Sequence, residues 1–254
     1  MGNQVARQFI KRGALAVTWL LVILPGFLAG LVQGLTGFGA AIIMMIFLPQ
    51  LLPIDQSAGV AGLIMAASVI TMVVRYRQHI RLKRIIIPFI IYASVAAWSV
   101  HLGKVLDVQL LRTLLGGLLV GLAIYFTLSK QAGTQRYPFY IAGVFMIISG
   151  FFNGLFGIGG PLMALYFLSL SQTTEDYIAN LQTFFLIDII YITTIRVSTG
   201  ILSSSDIPIV LIGMLGAMLG TLLAGRILPH MNMLMVRRVI YAFIGLSGFY
   251  YLVF

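Results

Sequence analysis

Between residues 14 and 48 the chain carries no Asp, Glu, Lys or Arg, and no other feature restricts its fold as strongly. This apolar run is longer than the ~20 residues that one bilayer-crossing helix needs. Further apolar runs fall at 56–74, 85–103, 108–128, 137–169, 177–195, 207–228 and 234–254. Only 9% of the 254 residues are charged and 60% are hydrophobic, against roughly a quarter charged in ordinary soluble domains. A soluble fold of this size cannot cover its surface with so few charges. The expected class is an all-α polytopic membrane protein; disorder, collagen-like structure and a disulfide scaffold are excluded.

The 16 Lys+Arg and 6 Asp+Glu give a net charge of +10. The basic residues flank apolar runs, where they act as orientation signals and contacts to anionic headgroups. Membrane lipid, and not nucleic acid, is therefore an expected partner. The chain has no cysteine, which removes disulfides, thiolate metal sites and cysteine nucleophiles. His79, His101 and His230 lie at segment edges with few acids nearby, so neither a metal centre nor another cofactor is expected. No Ser–His–acid arrangement stands out, and an enzyme is not expected. Arg7, Lys11 and Arg12 precede the first apolar run. That run continues well past a signal peptide's core without a small-residue cleavage site, and it reads as a retained membrane segment.

The chain repeats itself. Residues 30–48, GLVQGLTGFGAAIIMMIFL, align with residues 150–168, GFFNGLFGIGGPLMALYFL. Gly30, Gly34, Gly37 and Gly39 fall on Gly150, Gly154, Gly157 and Gly159 at a constant offset of 120, and Gln33 falls on Asn153. Arg75 matches Arg196 and Pro88 matches Pro208 at nearly the same spacing. Two homologous halves are expected, 1–130 and 131–254, within one integral membrane domain of about eight segments. The first segment of each half is too long for one straight crossing, since 34 residues of helix reach about 51 Å against a hydrocarbon core of ~30 Å. Glycines cluster near its middle, so each half is expected to open with a helix broken there. Pro161 suits the first turn of a new helix. Lys and Arg counts in the loops leave open whether the halves are parallel or inverted.

The glycine clusters have neither the spacing of a dinucleotide fingerprint nor that of a P-loop. They read as close helix packing, or as unwound midplane stretches whose free amides and half-helix N-termini hold an anion. Duplication, with Gln33, Thr36 and Asn153 alongside, favours the second. The candidate substrate-binding set is Gln33, Gly34, Thr36, Gly37, Gly39, Asn153, Gly154, Gly157, Gly159 and Gly160. Asp188 is the acidic residue well inside an apolar run, where a carboxylate is expensive and faces a cavity or a partner. It is a candidate for proton or cation coupling, or else a structural partner of Arg196. Asn180, Gln182 and Thr183 either line a path or cap a helix. Arg75 and Arg196 read first as snorkelling interfacial anchors, and second as charges that draw anions to the path. With so few basic residues in the membrane interior, a buried Lys or Arg is not expected to be the main ligand.

On these duplicated segments the sequence resembles the TauE/SafE family of sulfite and organosulfonate exporters, also called the toluene-sulfonate uptake permease family. The resemblance covers essentially the whole chain. It departs at Ala40-Ala41, where the second copy has Gly160-Pro161. It implies secondary transport of a small, often sulfur-containing anion across a bacterial inner membrane, without fixing substrate or direction. The oligomeric state is not implied. Export of a cation or amino acid would call for more carboxylates than Asp188. A non-transporting scaffold or assembly factor would need no cavity between the halves.

Overall fold

The computed structural model describes residues 2–128 and 137–227, together with Phe249. The elements are α1 (Gly2–Thr36), α2 (Ala40–Phe47), α3 (Ile54–Tyr76), α4 (Lys83–Gly103), α5 (Val108–Leu128), α6 (Phe139–Phe156), α7 (Gly160–Leu170), α8 (Thr174–Ser198) and α9 (Ile207–Ile227), with short 3₁₀ turns between some of them. No strand occurs among the described residues. Among the described residues, six stretches are long and apolar enough to cross a bilayer: Trp19–Thr36, Ile54–His79, Lys83–Gly103, Phe139–Phe156, Thr174–Ser198 and Ser204–Ile227. The protein is thus a multi-pass membrane protein. The run expected at 108–128 is α5, while the one expected at 234–254 and the boundary at 130 lie outside the described residues.

Helix ends follow local chemistry. Pro53 and Pro138 hold extended backbone ahead of α3 and α6. The Thr173 hydroxyl accepts from the Asp176 N–H at the start of α8, with Glu175 and Asp176 in the first turn facing the positive end of the dipole.

Both long apolar runs are broken at their glycines. α1 stops at Thr36 and α2 starts at Ala40; α6 stops at Phe156 and α7 starts at Gly160. Gly37 and Gly157 end their helices in the left-handed region, at φ 82° and 69°. Each donates its N–H back four residues, to the Gln33 and Asn153 carbonyls at 2.8 Å, as in a left-handed C-terminal cap. The two breaks then diverge: Gly39 has φ 99° and Gly159 has φ −102°. Pro161 lies in the first turn of α7.

Contacts between distant residues give the direction of each piece. The loop joining α3 to α4 docks on the start of α8, where the Arg81 N–H donates to Asn180 Oδ1 at 2.7 Å. The Tyr177 hydroxyl, in the first turn of α8, donates to the Thr36 carbonyl at 3.0 Å, so α1 ends on that side. α2 runs back, because a short link joins it to the start of α3 at the opposite side. α6 and α7 mirror this path. A Cβ on Gly157 would lie 3.1 Å from the Ala58 carbonyl near the start of α3. Arg84 Nη1 donates at 3.0 Å to the Leu170 carbonyl, which brings the end of α7 back beside the start of α4. The two broken segments are therefore hairpins that enter from opposite sides.

Each hairpin rests on one long helix. α1 packs along α9 and α6 along α4, while α3 and α8 pack together between them. The contacts are backbone-close: a Cβ at Gly30 would strike the Ala217 backbone, and one at Gly150 the Tyr92 carbonyl. Small residues permit this approach, which is how helices gain dispersion contact in lipid.

Candidate functional site

The two breaks meet. A Cβ on Gly160 would sit 3.1 Å from Phe38 Cβ, so the tip of one hairpin abuts that of the other. Around this junction lies a small cavity of about 20 Å³. Gln33 and Gly39 line it from the first break, and Asn153, Gly157, Gly159 and Gly160 from the second. Met65 of α3, Tyr92 of α4, and Phe185 and Asp188 of α8 close it. These four fall near the middles of their helices, which puts the cavity at mid-depth.

The expected site residues divide by position. Gly34 and Gly154 do not line the cavity. They pack, Gly34 against Thr221 and Ala224 of α9, and Gly154 against Ala96 and Ser99 of α4. The glycine clusters thus serve both readings, with the earlier members making helix contact and the later ones the breaks. Thr36 and Gly37 also stand behind the cavity wall. The Thr36 hydroxyl donates to the Phe38 carbonyl at 2.7 Å and ties the first break to itself. Gln33 and Gln182 form a knot around Gly37: Gln33 Nε2 donates to the Gly37 carbonyl (3.2 Å) and to Gln182 Oε1 (3.1 Å). Gln182 Nε2 donates to the same carbonyl at 2.6 Å. Gln33 Oε1 accepts the Ala40 N–H at 3.3 Å, fixing the start of α2.

The second break is held differently. Asn153 Nδ2 donates to both Asp188 oxygens at 3.1 Å, and the Tyr92 hydroxyl donates to Asp188 Oδ2 at 3.4 Å. Asp188 is 4% exposed and Tyr92 is fully buried. Arg196, two turns beyond Asp188 on α8, grips the end of α6. Its Nη2 donates to the Gly154 carbonyl at 2.8 Å and the Asn153 carbonyl at 3.3 Å. Its Nε is buried without a partner among the described residues.

Arg196 corrects the sequence reading. It is 2% exposed and is no snorkelling anchor; its guanidinium is buried inside the protein, in the last turn of α8. The carbonyls at the negative end of α6 make that burial tolerable. Arg75, its counterpart in the alignment, is exposed and lies over the Tyr76 ring at 5.6 Å. Asn180 and Thr183 do not line the cavity. Asn180 is engaged with Arg81, Asp176 and His79, and the Thr183 hydroxyl donates to the Ala179 carbonyl at 2.7 Å. Tyr92 went unnoticed in the sequence, although a phenol in the middle of an apolar helix carries a polar tip that seeks a partner.

The profile of the family described as Sulfite exporter TauE/SafE matches residues 22–251. The chain belongs to this family. TauE/SafE proteins are membrane transporters, in keeping with the apolar helices described above and with the absence of an enzyme reading. The chain is also similar to the "Probable membrane transporter protein ORF9" of Sinorhizobium sp, with 26% identity over 159 residues. That match covers 59% of this chain and 60% of the relative. No solved structure matches the TauE/SafE chain described here.

Proposed function

We propose that the protein is a secondary transporter of a small anion, sulfite or an organosulfonate, in a bacterial inner membrane, with the cavity between the helix breaks as its substrate site. The observation that carries this reading is the convergence of both breaks on one mid-depth cavity. α2 and α7 begin at that cavity, and the first turn of a helix presents unpaired N–H groups and the positive end of its dipole. The carbonyl ends of α1 and α6, which would favour a cation, are covered by donors. Gln182 and Tyr177 cover Gly37 and Thr36, and Arg196 covers Asn153 and Gly154. This asymmetry weighs against the cation and amino-acid readings, which have Asp188 alone in their favour.

In this reading backbone amides hold the anion. Gln33, Thr36 and Gly37 shape the first break, Asn153 and Gly157 the second, and Asp188 couples transport to protons. The halves 1–130 and 131–254 are inverted copies. Support for the inversion is the reciprocal packing, in which the hairpin of each half rests on the third segment of the other, α1 on α9 and α6 on α4.

The test is flux of labelled sulfite and a short sulfonate into proteoliposomes, with and without a pH gradient. Saturable uptake accelerated by the gradient is the expected result, and Asp188→Asn abolishes the acceleration while leaving the protein extractable. Absence of flux for both anions refutes the reading and favours a scaffold.

A further inference from the structure

Asp188 and Arg196 stand on one face of α8 and hold the same residue from two sides. Asn153 gives its side-chain amide to Asp188 and receives Arg196 on its carbonyl. Arg196 makes no ion pair with any described carboxylate, and both charges are buried. A net charge in such surroundings is costly, so the buried sum is held near zero. With the cavity empty, an ionised Asp188 balances Arg196. A monoanion seated at the helix breaks would take the sum to minus one unless Asp188 gained a proton.

We infer that Arg196 is a fixed countercharge, shared in turn by the Asp188 carboxylate and the bound anion, so that one proton travels with each monoanion and both carrier forms cross neutral. Here Arg196 is a positioning and specificity-determining residue that need not touch the substrate. The proton is taken onto Asp188 from the side on which the anion binds and released with it on the other, and the two gradients together set direction. The other groups facing this pair are few. Tyr92 of α4 faces Asp188, and Asp55 at the start of α3 acts on Arg196. Among the described residues of α2, α6 and α7, none that lines the cavity is titratable. The inference rests on the anion-transport reading.

The probe is methanesulfonate, a strong-acid anion that stays singly charged across working pH, so any co-transported proton belongs to the protein. In proteoliposomes holding the full chain, a potassium–valinomycin potential of about 100 mV would bias movement of one full charge by up to ~50-fold. Wild-type flux is expected to change less than about twofold, with one proton entering per anion by an internal pH dye; a full charge crossing would respond far more strongly. In Asp188→Asn the empty carrier keeps the Arg196 charge, and its remaining flux becomes potential-dependent by about fivefold or more. Arg196→Lys retains electroneutral flux, whereas Arg196→Gln lowers methanesulfonate affinity about tenfold or more, as expected when a buried anion loses its countercharge. Potential-driven wild-type flux, or flux without protons, overturns the inference and leaves anion transport standing. The wild-type measurement decides this even if the variants fail to fold. No flux of methanesulfonate or sulfite defeats the transport reading itself.

Discussion

Alanine at Gly157 tests whether the second break is built into the backbone. Gly157 holds φ 69°, a conformation that costs an L-residue about 1–2 kcal/mol. The added Cβ would also approach the Ala58 carbonyl to 3.1 Å, closer than an ordinary contact. Together these give a loss of about 2 kcal/mol in Gly157→Ala. For a chain of this size each kcal/mol moves the midpoint by roughly 2–4 °C, so Tm in detergent is expected to fall by about 4–8 °C. Gly62→Ala is the control: Gly62 lies inside α3 where, its own helix backbone aside, no described atom comes within 4 Å of the new Cβ, and it is expected to gain about 0.5–1 kcal/mol. Parallel melts of the two purified variants read the difference directly. If Gly157→Ala melts no lower than Gly62→Ala, then α6 continues through the glycines and the break described here is wrong.

Gln182→Leu removes a donor to Gly37 and an acceptor for Gln33. It is expected to cost about 1–3 kcal/mol, seen as a lower Tm, because buried polar groups lose their partners. Gln33→Leu and Asn153→Leu each weaken substrate affinity, but unequally. Only the asparagine change removes one of the two donors to a carboxylate, worth about 1.5–3 kcal/mol, so only that variant alters the pH-gradient dependence of flux; identical pH responses would refute the distinction. Asp176→Ala undoes the dock of α8 on Arg81 of the α3–α4 loop and Arg84 in the first turn of α4. Arg81 is mostly exposed and adds little, so a loss of about 1–2 kcal/mol is expected, chiefly from Arg84 and Asn180, read by thermal melting.

Much of the backbone plan was legible. Glycine is the residue that takes positive φ freely, and its duplication at 37 and 157 marked both breaks before any contact was known. Gln33, Asn153 and Asp188 stood out because a polar group in an apolar run must find a partner. Which partner was not legible. Asn153 reaches Asp188 across 35 residues and Gln33 reaches Gln182 across 149, and no local pattern encodes such meetings. Arg196 was misjudged for a related reason. An arginine near a helix end looks like an interfacial anchor, and the carbonyls that bury it belong to backbone, which leaves no mark in the sequence. The returning paths of α2 and α7 were hidden as well, since a glycine permits a break without saying in which direction the chain leaves it.

The capping of α1 by α8 places a demand on synthesis. The amide that holds the Gly37 carbonyl belongs to Gln182, 145 residues later. At about 5–20 residues per second, a ribosome needs roughly 7–30 seconds to make that stretch. Throughout that interval the first hairpin is already made, with its tip carbonyls still waiting for a helix that does not yet exist. Early in its life the hairpin tip must therefore be satisfied by water, by lipid headgroups or by the insertion machinery. Its final set comes only when the second half of the chain arrives.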